Sequence, residues 1–203
     1  MFIVIEGLDG SGKTTQLKLL SEKLTLKNIT NIITRQPSEN PIGKMARAFT
    51  LGEYPNMSNE AVSMLFAADR IQHYHEEIEI ALKNGYVLCD RYYYSNLAYQ
   101  GTDEAAVKRI ISYNQSVMGE KKPDLVIFLN TKPEECINRI SKTRANISIY
   151  ESLSNLKTLQ ERFLTVFDHL NEAENIKIIE TDGLNIQDVH ERVWALVTLS
   201  CKA

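Results

Sequence analysis

Five short apolar runs alternate along the chain with longer stretches whose apolar positions recur at helical spacing. The runs cover residues 2–6, 31–34, 86–90, 125–130 and 176–180. Each is bounded by Gly, Pro, Asn or charge, and each is too short and too β-branched to favour a helix. Between them lie amphipathic stretches at 13–27, 58–83, 104–118, 133–143, 153–171 and 186–199. Near-continuous apolar strands separated by helices predict an α/β fold, a five-stranded parallel sheet covered by helices on both faces. Pro133 suits the first turn of its helix, where a missing N–H costs nothing. No linker, repeat or low-complexity tract interrupts the pattern, so residues 1–203 read as one domain. Only 142–154 is polar and weakly periodic, a plain loop or a short lid at about 141–153.

Composition narrows the classes. At 43% hydrophobic and 24% charged residues the chain is an ordinary globule rather than a disordered one. A net charge of −3 gives no bulk attraction to nucleic acid or to an anionic membrane. No apolar run approaches the roughly 18 residues of a membrane helix, and the N-terminus lacks the charged-then-apolar order of a signal peptide. Cys89, Cys136 and Cys201 are odd in number and lack a CxxC spacing, so buried reduced thiols in a cytoplasmic protein are expected. The four histidines, His73, His75, His169 and His190, lack the spacing of a structural metal site.

The chemistry begins at Gly7-Leu8-Asp9-Gly10-Ser11-Gly12-Lys13-Thr14, a complete GxxxxGK[ST] sequence between a strand and a helix, with Thr15 following. Its glycines let backbone N–H groups converge on phosphate oxygens, and the helix N-terminus adds partial positive charge. Lys13 would neutralise the β- and γ-phosphates while the Thr14 hydroxyl ligates Mg²⁺. The third strand ends in Asp90-Arg91, an acid placed to hold the metal beside a forked cation placed to bridge two phosphates. The second strand ends at Thr34-Arg35-Gln36-Pro37, and Arg47 follows about two helical turns into the next segment. Strand carboxyl ends share one rim, so Arg35 and Arg91 should face the same crevice as Lys13. Holding two polyanions together for phosphoryl transfer needs such positioned charge. For Arg47 alone, a solvated helix position is an equal reading.

Phe66 and Arg70 fall at i and i+4 on one helical face, where a ring can stack on a base and a guanidinium can donate to its carbonyl. By pattern alone such an aromatic is more often core. If residues 91–101 are helical, Asn96, Tyr99 and Gln100 share a face whose amides can pair with a pyrimidine edge. Tyr92, Tyr93 and Tyr94 read as packing and surface.

Taken together these residues resemble the thymidylate kinase family. The matching pieces are the phosphate loop with Asp9, Thr-Arg-Gln-Pro at 34–37, Phe-Ala-Ala-Asp-Arg at 66–70 and Asp-Arg-Tyr at 90–92. Ser-Asn-Leu-Ala-Tyr-Gln-Gly at 95–101 and Pro-Asp-Leu-Val-Ile-Phe-Leu at 123–129 continue the match. The resemblance implies a three-layer P-loop NTPase fold and transfer of a phosphoryl group from ATP to dTMP, with Mg²⁺, in a homodimer. It further implies that Phe66 stacks on thymine and Arg70 binds its O4. Asn96 and Gln100 would lie along the base edge, Asp9 near the 3′-hydroxyl, and Tyr99 against the 2′ position. Arg35, Arg47 and Arg91 would bind or bridge the acceptor phosphate.

The chain departs from the family pattern at Gln36, where Glu is usual, and at Ser38-Glu39-Asn40, where Gly-Gly-Thr is frequent. Asn96 stands where a second serine is common, and Asn130 where Asp is usual. Some members carry an arginine in the phosphate loop where this chain has Gly10; others supply it from the lid, which here offers Lys142 and Arg144. Arg144 is therefore the candidate for the lid arginine on the transferring group, with a solvated loop residue as the alternative. Rival functions are a nucleotide kinase with another acceptor base, a P-loop nucleotide switch and a catalytically inactive homologue. A switch commonly carries a separate DxxG and an Asn-Lys-x-Asp base reader, whereas here DxxG falls inside the phosphate loop and 131–134 reads Thr-Lys-Pro-Glu.

Overall fold

A computed structural model describes residues 1–119, 121–143, 152–171 and 173–201. Its centre is a five-stranded, all-parallel sheet in the order β2-β3-β1-β4-β5. The strands are β1 (Phe2–Gly7), β2 (Asn31–Arg35), β3 (Tyr86–Asp90), β4 (Leu125–Asn130) and β5 (Ile176–Glu180). β1 is buried at every residue because it lies in the middle and is covered on both faces. Its side chains alternate between two cores. Ile3 and Ile5 pack with Leu17, Leu20 and Leu24 of α1 (Lys13–Leu26) and Val189, Val193 and Val197 of α9 (Ile186–Ser200). Phe2 and Val4 face the opposite layer, with Val126, Phe128, Phe163 and Phe167.

That second layer comprises α2 (Pro41–Thr50), α3 (Asn59–His73), α4 (Glu79–Leu82), α5 (Tyr93–Gln100), α6 (Glu104–Met118), α7 (Pro133–Thr143) and α8 (Leu153–Leu170). A π-helical turn, Tyr74–Ile78, joins α3 to α4, so the predicted helix at 58–83 is one rod with a bulge. The periodicity did not bring out α2. Its signal is local: the Asn40 side chain caps the Gly43 N–H at 2.8 Å and Pro41 opens the first turn. Of the expected lid, 141–143 ends α7 and Leu153 opens α8; Arg144 lies outside the described residues.

Tyr92, Tyr93 and Tyr94 are all fully buried, packing residues with none at the surface. Cys89 and Cys136 are buried thiols, but Cys201 is exposed near the end of the chain, which corrects the expectation of three buried cysteines. Among the described residues no helix is long and apolar enough to cross a membrane.

Candidate active site

The phosphate loop turns out of the buried end of β1. Gly10 and Gly12 adopt φ of 81° and 100°, a region that excludes most side chains. A Cβ on Gly10 would stand 2.6 Å from the Cys136 carbonyl oxygen, so α7 packs straight onto the loop. Lys13 is buried and folds back, donating to the carbonyls of Gly7 at 3.0 Å and Leu8 at 2.9 Å. Burial, and then the charge of Arg91, pull its pKa below the usual lysine value against the opposing pull of Asp90, Asp9 and Glu6. Thr14 Oγ1 donates to Asp90 at 3.4 Å. The other Asp90 oxygen is buried without a hydrogen-bond partner. Two hard oxygen donors side by side, one left unsatisfied, match what Mg²⁺ accepts.

Arg91 leaves β3 with a φ of 70°, a strained conformation for a residue with a side chain. Its Nη2 donates to Asp9 at 2.9 Å, its Nη1 to Ser95 at 3.0 Å, and the group lies 5.3 Å from the Tyr99 ring centroid. Glu6 sits beneath, fully buried, accepting from the Tyr92 N–H at 2.8 Å and the Ser95 hydroxyl at 2.7 Å. Burial raises the Glu6 pKa, and Arg91 is the chief influence lowering it. The carboxylate thus ties the end of β3 to the start of α5 and fixes the backbone from which Arg91 projects.

Arg35 and Arg47 converge on one carboxylate oxygen. Arg35 pairs with Glu39 Oε1; Arg47 Nη2 lies 3.4 Å from the same atom and donates to the Pro37 carbonyl at 2.7 Å. The pairing with Arg35 holds the Glu39 pKa low. Asp69 anchors this loop from α3, accepting from the Ser38 N–H at 2.9 Å and from its hydroxyl.

At the far end Phe66 is half-buried on α3, while Arg70 is fully buried one turn on. Arg70 Nε donates to Gln36 Oε1 at 2.8 Å, Nη1 to Asn114 Oδ1, and Nη2 to the Tyr92 carbonyl at 3.3 Å. Asn114 Nδ2 passes a bond to Asn96 Oδ1 at 3.2 Å, and Asn96 Nδ2 to Gln100 Oε1 at 3.1 Å. Because a guanidinium can only donate, it orders every amide that follows.

One cavity of about 1240 Å³ joins these parts. Residues Asp9 to Thr15, Arg35, Arg47, Phe66, Arg70, Asp90, Arg91, Asn96, Tyr99 and Gln100 line it. Gly7 and Leu8 stand behind the loop rather than on the cavity wall. Beyond the phosphate loop the cavity continues to Arg139, Leu184 and Ile186. Arg139 donates to the Gly10 carbonyl at 3.2 Å. Sequence reasoning assigned no role to Glu6, Glu39, Asn114 or Arg139, and none to Gln36 beyond noting its departure. A carboxyl inside the apolar run of β1 was a readable signal for Glu6. Asn114 comes from a separate helix and had none.

The thymidylate kinase family profile matches residues 5–193. A probable thymidylate kinase of Thermococcus onnurineus is 34% identical, over 97% of either chain. One from Methanocaldococcus jannaschii is 38% identical, over 95% of this chain and 93% of that one. This chain belongs to the thymidylate kinase family. The solved thymidylate kinase of Candida albicans superposes with a TM-score of 0.81 at 29% identity, over 98% of this chain and 91% of that one. The thymidylate kinase fold and ATP-dependent nucleoside monophosphate kinase chemistry follow from these matches. Of the departures from the family pattern, Gln36 and Asn96 line the cavity near Arg70, whereas Glu39 pairs with Arg35 and Arg47.

Proposed function

We propose that the chain transfers the γ-phosphoryl group of ATP to dTMP, with the two nucleotides meeting at Arg91. The observation that carries this is the single cavity, larger than the roughly 300–1,000 Å³ of a one-ligand pocket, with the phosphate loop at its middle. ATP's phosphates lie on the cavity face of the loop, Asp9 to Thr15, with Gly7 and Leu8 behind it, and its base extends toward Arg139, Leu184 and Ile186. dTMP lies the other way, its ring on Phe66, its O4 toward Arg70 and its edge along Asn96 and Gln100. Asp9 lies near the sugar 3′-hydroxyl, and Tyr99 crowds the 2′ position.

Lys13 and Arg91 balance the charge of the transferring group, and Arg35 and Arg47 hold the acceptor phosphate. Lid residue Arg144 remains a candidate for the same charge. Thr14 and Asp90 would hold Mg²⁺, which when bound offsets phosphate charge. The chain's own part is positioning and fixed charge, with no covalent intermediate. The family match also leads us to propose a homodimer.

Release of ADP with Mg·ATP and each of dTMP, dUMP, dCMP, dGMP and ribosyl-TMP tests the reading. Turnover with dTMP, weaker with dUMP and absent with the others, is expected. The Candida albicans relative is described as broad in substrate specificity, so the dUMP arm is informative. Preference for another base would keep the kinase and remove the roles of Phe66, Arg70 and Gln100. ATP binding without any acceptor-dependent ADP release would overturn the enzyme reading.

Glu39 pairs with both Arg35 and Arg47, and on this reading it competes with the acceptor phosphate for them. Glu39→Gln removes this competitor, so the KM for dTMP should fall about two- to fivefold at low salt, the scale of an exposed ion pair. The gain should shrink as salt is raised, because both partners are solvent-facing. A higher KM in the variant would show that Glu39 helps to bind the acceptor.

A further inference from the structure

From Arg70 the hydrogen bonds also run in a second direction, through Gln36 on the cavity wall to His73, which does not line it. Gln36 Oε1 accepts from Arg70, and Gln36 Nε2 lies 3.2 Å from His73 Nδ1. His73 Nε2 lies 2.8 Å from Thr34 Oγ1 and 3.1 Å from Glu77 Oε2. The order of donors is forced from one end. Arg70 has no acceptor, so the Gln36 oxygen must face it and the Gln36 NH₂ must face His73. Nδ1 therefore carries its lone pair, and the ring proton sits on Nε2, shared between Thr34 and Glu77.

We propose that Gln36 and His73 are positioning residues for the base-reading Arg70, and that a proton gained on His73 Nδ1 releases Arg70 and weakens dTMP binding. With both ring nitrogens protonated, two donors confront each other across the Gln36–His73 contact. Turning the amide to satisfy the ring would set its NH₂ against Arg70 Nε–H instead. Either arrangement leaves a donor unpaired among side chains that are all buried, His73, Gln36 and Arg70, and so costs the bond that the neutral ring makes.

The charged groups facing the ring are Asp69 and Arg70 on its own helix and Glu77 on the π-helical turn. β2 presents the Thr34 hydroxyl, and its register partner on β3, Cys89, presents a thiol that burial keeps protonated. Burial outweighs the carboxylates and lowers the His73 pKa from the ordinary 6.5, so the imidazole is neutral at physiological pH. The sign follows: dTMP binds the neutral form, binding lowers the His73 pKa further, and affinity is lost as pH falls below the histidine range.

The inference rests on the placement of the acceptor base against Arg70. The test compares the KM for dTMP in wild type and His73→Asn as pH is lowered. Asparagine keeps an acceptor near the Nδ1 position and does not titrate. The phosphate of dTMP titrates in both proteins, so their difference isolates residue 73. From about pH 7.5 down through the histidine range to about pH 4.5, the wild-type KM should rise at least about threefold more than that of the variant, with kcat moving alike in both. Equal acid limbs in the two proteins would overturn the proposal.

Nitrogen-15 spectra of the histidine rings in the free wild-type enzyme provide a second readout that does not depend on the variant's folding. An Nε2–H tautomer of His73 is expected, and an Nδ1–H tautomer would overturn the proposal. Gln36→Glu sets a carboxylate between Arg70 and the ring, so His73 should gain an Nδ1 proton and titrate at higher pH. An unchanged His73 signal in that variant would also count against it. If Arg70→Leu leaves the KM for dTMP unchanged, the base placement fails, whatever tautomer His73 shows.

Discussion

Arg91→Ala should lower kcat about a thousandfold, the scale at which a cation on a transferring phosphoryl group acts. Its guanidinium lies between the phosphate loop and α5, bonded to Asp9 and Ser95, in a conformation the backbone holds under strain. The same substitution strips Glu6 of the chief charge that lowers its pKa and removes the ion pair of Asp9. Losing the partly buried pair with Asp9 costs about 1–3 kcal/mol of stability, and the Glu6 carboxyl, already pushed up by burial, should titrate still higher. Arg91→Lys separates the two effects. An ammonium restores the charge beside Glu6 but cannot reach Asp9 and Ser95 together through a planar fork. Thermal stability should therefore return while most of the rate deficit remains. A kcat within tenfold of wild type in Arg91→Ala, measured by coupled ADP release, would remove Arg91 from the chemistry.

The parts of this molecule that were legible in the sequence are those whose physics is local. β1 and β4 announce themselves because a strand buried on both faces must be apolar at nearly every position. The phosphate loop is legible because its backbone conformation demands glycine at fixed spacing, as the φ values of Gly10 and Gly12 bear out. α2 escaped the search for periodicity because it is ten residues long, and its clearest marks are a cap and a proline. The surroundings of Arg70 were not legible at all. Gln36 reaches it from 34 residues away and Asn114 from 44, and no spacing rule links a strand end, a helix interior and a second helix. Glu39 was visible as a departure, yet its meeting with two arginines depends on the loop that Asp69 anchors.

Lys13→Met should lower kcat/KM for ATP at least about a hundredfold while changing stability by no more than about 1–2 kcal/mol. The asymmetry follows from where Nζ sits. Folding buries an ammonium whose hydration is replaced by two carbonyls, Gly7 and Leu8, and burial is the largest influence on its pKa. Methionine gives up those two bonds but also removes the cost of burying the charge, so the fold loses little. ATP loses the cation on its β- and γ-phosphates and gains nothing in return. Because the Lys13 pKa is lowered from 10.5, kcat/KM for wild type should begin to fall at a pH below that value as the ammonium deprotonates in the free enzyme. The folded state, by contrast, is relieved of a buried charge over the same rise in pH. Lys13→Arg cannot deprotonate and should not show that alkaline limb. Loss of stability in step with activity in Lys13→Met would mean that the lysine braces the loop rather than serving the phosphates.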